Sequence, residues 1–287
     1  MNKELIQELR GSALMMTAAG QTEYAALLKQ AAEEGNEAAR QTQPKAASFP
    51  DAEVSDTGFA IQHHVLILPV TGMMTKYSTW LLPGMDLLAE ALQRAETDDN
   101  ISATVLLMNT YGGTVQSWLR MEEVLRSRKK PCVAVVDGLC ASAGMYVAVL
   151  CDRIYAVNPT CRVGSIGVMA QLVDNSEQMK QAGVRLIEVY PPESKWKNRP
   201  EREAFEGHTD LLISENLSPL ARHFRQVVRE MRPDLDESVE GLLDGRMFFA
   251  EDARKAGLID GILTLNDAIA QTANLAADRK AIINSIV

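Results

Sequence analysis

ATVLLMNTYGGTVQSWLRMEEVLRSRKKPCVAVVDGLCASAGMYVAVL, residues 103–150, sets two β-rich runs each directly ahead of a helical run. Ala103–Asn109 and Cys132–Val136 are continuous apolar runs of strand length, and Val115–Arg128 and Ser142–Leu150 carry helical spacing. Strand and helix in strict alternation predict an α/β fold whose parallel or mixed sheet is crossed by helices. The same alternation continues outward: His64–Val70, Arg153–Val157, Ser165–Val173 and Arg185–Tyr190 read as strands, Met85–Arg94 and Ser176–Ala182 as helices. Asp210–Met231 reads as a long amphipathic helix interrupted or restarted near Pro219, and Gly245–Ile262 as a closing unit. Residues 1–55 differ. They are rich in Ala, Gln and Glu, with helical spacing at Leu5, Leu9 and Met15, and pass into a polar stretch, Gln41–Thr57, which suggests a helical N-terminal arm and linker. The expected division is therefore 1–55 as arm and linker, 56–270 as the main domain and 271–287 as a C-terminal tail.

The 287 residues are 46% hydrophobic, enough for one large core with appendages. A formal net charge of −9 opposes a nucleic-acid footprint, and the mixed run Arg126–Lys130 reads as a solvated helix end. The cysteines Cys132, Cys140, Cys151 and Cys161 include no Cys-x-x-Cys pair, so free buried thiols in a reducing compartment are expected, with no metal and no cofactor. No run approaches the roughly 20 apolar residues of a membrane helix, and the N-terminus lacks a secretory core. The expectation is a chain without a membrane anchor, located in the cytoplasm, or, for a viral protein, in the host cytoplasm or a phage prohead.

The chemistry centres on GLCASAGMY, residues 138–146. Ser142, flanked by small residues where a strand enters a helix, suits an exposed nucleophilic hydroxyl, although small residues there also suit tight packing. The spacing is not the Gly-x-Ser-x-Gly elbow, because Gly138 stands four residues before the serine. The Gly112–Gly113 pair suggests a tight turn aiming backbone N–H groups outward, as an oxyanion hole or a phosphate cradle needs, but neither phosphate motif is present. A serine nucleophile needs a base. His63, His64, His208 and His223 are poorly placed for that role and read as surface or edge residues. A lysine serves if desolvation brings its pKa from about 10.4 toward about 7 to 8, and Lys195 and Lys197 are the candidates.

Five motifs in order, LPVTG (68–72), NTYGGTV (109–115), CASAGMY (140–146), GSIGV (164–168) and GRMFFAEDARKAGLIDGI (245–262), resemble the signal peptide peptidase A family of serine peptidases. That family includes the related proteases of tailed-phage head maturation. The resemblance spans roughly Ile61–Leu265 and implies that 56–270 is a serine peptidase domain with the Clp/crotonase-like spiral of ββα units. It implies a serine–lysine dyad: Ser142 as nucleophile, Lys195 as base by its twelve-residue distance from Gly183, and Lys197 as fallback. By the same resemblance Gly113 and Ala143 supply the oxyanion hole, and Ser165 orients the lysine. Gly112, Val115 and Val168 lie on the edges expected to hold the substrate. The chain departs from the family at Tyr111, where proline is usual, and at Pro192–Lys195, where the usual Ser-Gly approach is missing.

The implied reaction is hydrolysis of a polypeptide through an acyl-enzyme, in a homo-oligomer whose active sites are shared between subunits. A soluble arm in place of an anchor favours capsid or head maturation by a phage or prophage enzyme, with a capsid scaffold protein as candidate substrate. The competing readings are a cytoplasmic peptidase of signal-peptide remnants, a crotonase-like acyl-thioester enzyme, and a proteolytically inactive scaffold subunit.

Overall fold

The computed structural model describes residues 14–16, 52–78 and 83–286. In chain order its elements are β1 (Leu14–Met16), β2 (Glu53–Val54), β3 (Ala60–Gln62), β4 (Val65–Met74), α1 (Met85–Ala95), β5 (Ala103–Thr114), α2 (Val115–Ser127), β6 (Cys132–Ala141), α3 (Ala143–Val149), β7 (Arg153–Ala156) and β8 (Arg162–Gly164). They continue with α4 (Ser176–Gln181), α5 (Arg199–Phe205), α6 (Ser218–Met231), β9 (Met247–Phe249), α7 (Ala250–Lys255), β10 (Gly261–Ile262) and α8 (Leu265–Ile286).

Strands β4, β5, β6 and β7 run parallel side by side, with β3 and β2 added antiparallel at one edge and β10 parallel at the other. Register shifts at Gly72/Met73 and between Met108 and Thr110 bend the long strands. Beyond the bend β6 exchanges its neighbour: Val133–Val136 pair with β7, whereas Leu139–Ala141 pair with β8, which in turn pairs with β9. Strand β6 thus serves two parts of the sheet, and α3 follows it. This is the ββα arrangement expected from the sequence.

The first halves of β4, β5 and β6 are largely apolar because both faces are covered there, as parallel sheets require. Leu66, Leu68, Leu106, Met108, Ala134 and Val136 pack with α1, α2, α3 and α6 through Leu88, Met121, Tyr146 and Phe224. The alternate residues Val65, Ile67, Val105, Val133 and Val135 pack with Ala268, Ile269 and Ala276 of α8. Period-two alternation therefore sorts one strand's side chains between two cores.

Several expectations are corrected. Helix α8 crosses the boundary placed at 270, and Arg279 anchors it through Asp152 Oδ1 (2.7 Å) and the Lys129 carbonyl (2.9 Å), so 271–286 is no separate tail. The expected helical arm is a strand at Leu14–Met16, and residues 1–13 and 17–51 lie outside the described residues. His63 and His64 do not begin a strand; they form the two-residue link of the β3–β4 hairpin, with φ of 53° and 61°, the positive values a type I′ turn demands. Arg126–Lys130 is not a solvated helix end. Arg128 pairs with Asp152 at 2.9 Å, and Lys130 Nζ donates to the carbonyls of Ala95, Asp98 and Ile101, each at 2.7 Å.

Ser165–Val173 holds only a single bridge residue at Met169, and Arg185–Tyr190 has no ladder partner among the described residues. These runs look like strands because they are β-branched and apolar, but in the single chain Leu186, Ile187 and Val189 are exposed. The Pro219 break is as expected: a π-helical stretch, Leu212–Leu217, leads into α6, where the missing proline N–H falls in the first turn.

Candidate active site

Strand β6 ends at Ala141 and α3 begins at Ala143, leaving Ser142 alone at the corner with φ 56° and ψ −116°. A residue with a Cβ adopts such a conformation only when its surroundings impose it. Here the Ser142 N–H donates to the Gly164 carbonyl (2.9 Å), and its own carbonyl accepts from Tyr146 N–H (3.0 Å). The hydroxyl, on a residue only 1% exposed, lies 3.4 Å from the Gly167 carbonyl oxygen. The small neighbours have a packing reason as well: a Cβ on Gly144 would lie 2.5 Å from Thr110 Cγ2, so glycine lets the start of α3 sit directly on β5. The packing reading of the small-residue run therefore holds, and the hydroxyl, expected to be exposed, is buried in the single chain.

That contact sets the start of α3 against Thr110 of β5, two residues before the Gly-Gly pair. The pair is not the tight turn expected from the sequence. Gly112 and Gly113 lie within β5 and remain paired with Met73 and Met74 of β4. Gly113 is required by closeness, since a Cβ there would fall 1.8 Å from the Met74 carbonyl oxygen. Gly112 has φ 94°, and its N–H donates to Thr110 Oγ1 at 3.1 Å.

The Gly164–Ser165 pair lies against the stretch before β9. Ser165, half-buried with φ 56°, donates its N–H to the Arg246 carbonyl at 2.9 Å. Gly164, with φ 129°, passes so near that a Cβ would sit 2.4 Å from the same oxygen. Two motifs about 80 residues apart in the chain thus form one corner beneath Ser142. Val115 and Val168 are half-buried and pack at the rim of the main core.

The lysines are not assembled with this corner. Lys195 and Lys197 follow a single 3₁₀ turn, Pro192–Ser194, and both side chains are exposed. Among the described residues neither side chain has a hydrogen bond to Ser142; Lys195 is held through its carbonyl, which accepts from Arg202 Nη2 (3.2 Å). No histidine replaces them. His223 Nε2 meets the Tyr146 hydroxyl at 2.9 Å, beside the Glu122 carboxylate at 2.9 Å, and stacks on Trp118. Burial, then the hydrogen bond to Glu122, push the Tyr146 phenol well above its ordinary range. Among the described residues no group of three or more His, Cys, Asp or Glu side chains could hold a metal ion.

Three contributors escaped the sequence reading: the Gly167 carbonyl, the Thr110 hydroxyl and the Arg246 carbonyl. Two are backbone atoms, which residue identity does not encode. The φ-positive Gly164 was visible only as part of a motif.

The family model described as peptidase family S49 matches residues 124–279, more than half of the chain, and encloses Ser142, Ser165, Lys195 and Lys197. A protein of Methanocaldococcus jannaschii named as a protease is 30% identical over 188 residues, 64% of this chain and 60% of that relative. The capsid assembly protease C of Escherichia phage lambda is 25% identical over 221 residues, 74% of this chain and 49% of the relative. The chain thus spans half to three fifths of the length of these two relatives. Among solved structures, the 1510-N membrane-bound stomatin-specific protease superposes with a TM-score of 0.46 at 17% identity, covering 72% of this chain and 78% of that one.

Proposed function

Because the chain belongs to peptidase family S49, we propose that it is a serine endopeptidase in which Ser142 attacks the scissile carbonyl and a lysine, Lys195, accepts the serine proton. The observation that carries this reading is the strained corner at Ser142: a positive-φ serine set between the end of β6 and the start of α3, its hydroxyl against the Gly167 carbonyl. The Ser142 oxygen forms a bond to the carbonyl carbon as its proton passes to the lysine amine. The oxygen that gains charge is stabilised by the Gly113 and Ala143 N–H groups. The lysine then returns the proton to the leaving amine, and water hydrolyses the acyl-serine. Ser165 orients the amine, while Gly112, Val115 and Val168 border the extended substrate.

The exposed lysines are accounted for by assembly. The segment leading to Lys195 shows Leu186 at 72% and Val189 at 84% exposure, an apolar surface unusual for a monomer. We read it as the contact to a second copy, which carries its lysine to the neighbour's serine and removes water from the amine, favouring the neutral form. The capsid assembly protease among the relatives supports a role in phage or prophage head maturation, with a scaffold polypeptide as substrate. Among the described residues no helix is long and apolar enough to cross a membrane.

The test is subunit complementation. Ser142→Ala and Lys195→Ala proteins, each inactive on a fluorogenic peptide, are mixed and allowed to exchange. Recovery of up to about a quarter of wild-type activity is expected if each site draws on two copies; no recovery, with subunit exchange demonstrated, would place both residues in one chain.

A further inference from the structure

A strand has two edges. At Gly112 and Gly113 one edge of β5 is taken by β4, through Met73 and Met74. The opposite edge belongs to β6 only as far as Thr110↔Cys140, because β6 then turns into Ser142. The β5 edge immediately beyond the serine is therefore left open by the same bend that sets Ser142 at the corner. It is not empty. Leu14–Met16 runs antiparallel along it, in register Leu14↔Thr114, Met15↔Gly113 and Met16↔Gly112. The backbone of Met15 thus stands opposite the residue whose N–H serves as an oxyanion donor in the reading above.

We propose that residues 14–16 are an intramolecular occupant of the peptide-binding edge, so that the N-terminal segment must leave before a substrate strand enters. The inference rests on the peptidase reading for its consequence, and on the strand pairing for its geometry. Extended peptides bind by adding a strand to an open edge through main-chain hydrogen bonds, and β1 already makes that addition. Three backbone positions are a short ladder, easily displaced, but a tethered strand competes at an effective concentration on the order of millimolar. A free peptide of ordinary affinity then binds weakly until the segment is displaced.

The test uses the full chain carrying Ser142→Ala, so that no peptide bond breaks during the measurement. Its affinity for a fluorescein-labelled peptide of residues 12–19, SALMMTAA, is read by anisotropy and compared with the same protein carrying Met15→Pro. Proline removes one N–H from the segment and disfavours its pairing. A second protein, with glycine at 14, 15 and 16, guards against an idiosyncratic effect of proline, and circular dichroism confirms that the folds agree. Binding at least tenfold tighter in both altered proteins is expected. Equal affinity in all three, or no binding to any, would overturn the proposal. In the Ser142-containing proteins, the absence of any peptide cleavage would instead defeat the peptidase reading, while the binding comparison still decides whether the edge is occupied.

Discussion

The hydroxyl of Ser142 faces the carbonyl oxygen of Gly167 at 3.4 Å, a long contact on a residue that is almost wholly buried. The hydroxyl is thus held by geometry more than by a strong hydrogen bond, and among the described residues no lysine or histidine side chain hydrogen-bonds to it. Replacement of Lys195 by alanine should therefore lower kcat by about 10²–10⁴-fold, the usual contribution of a general base, with little change in KM. Lys197→Ala should retain most activity. Steady-state peptide hydrolysis separates them: activity that survives in Lys195→Ala and vanishes in Lys197→Ala transfers the role to Lys197.

Gly113 offers a second test. A methyl group at that position would collide with the Met74 carbonyl oxygen, so Gly113→Ala must push β4 and β5 apart. Overpacking of this kind costs about 1–3 kcal/mol. On the proposed mechanism the same shift displaces an oxyanion donor, which lowers kcat by about 10²–10³-fold. Urea denaturation and kinetics on the same protein should show both effects.

Acid should weaken the attachment of α8. Burial alone would raise the Asp152 carboxyl, but the Arg128 charge, the Cys132 N–H and the hydrogen bonds from Arg128 and Arg279 outweigh it and hold it below the usual carboxylate range. The stabilisation is therefore full above the unfolded-state value near about 3.9 and is lost as pH falls through the lower folded value. Arg279→Ala should cost about 1–2 kcal/mol at pH 7 by removing a charge-assisted hydrogen bond. Urea midpoints measured from pH 7 downward should show the gap between wild type and Asp152→Asn narrowing only below about pH 4.

The thiols should be inert in the native protein. Cys132, Cys140, Cys151 and Cys161 are free and buried, and burial pushes the Cys140 thiol far above its ordinary range. An aromatic disulfide reagent should titrate them only after unfolding; rapid native reaction would mean that the core opens locally.

The fold was legible where covalent pattern and packing agree. Apolar runs such as Val133–Val136 announce a sheet covered on both faces, and the Pro219 restart lies where proline chemistry puts it. It was misread where identical composition serves a different purpose. Arg185–Tyr190 has a strand's residues without a strand's partner, and the Leu14–Met16 backbone forms a ladder although its neighbours carry helical spacing. The place of Ser142 between strand and helix was legible from its small neighbours. The Gly167, Arg246 and Met74 carbonyls were not, because every residue carries one and only the fold decides where it points.

Every other role proposed for the site depends on Ser142 being the nucleophile. Intact-mass and peptide-mapping analysis of the full-length protein after prolonged incubation with a peptide boronate or a fluorophosphonate tests it most directly. The account predicts one adduct per chain, located on Ser142 and abolished in Ser142→Ala along with peptide hydrolysis. Hydrolysis undiminished in Ser142→Ala, with any adduct on another residue, would contradict it.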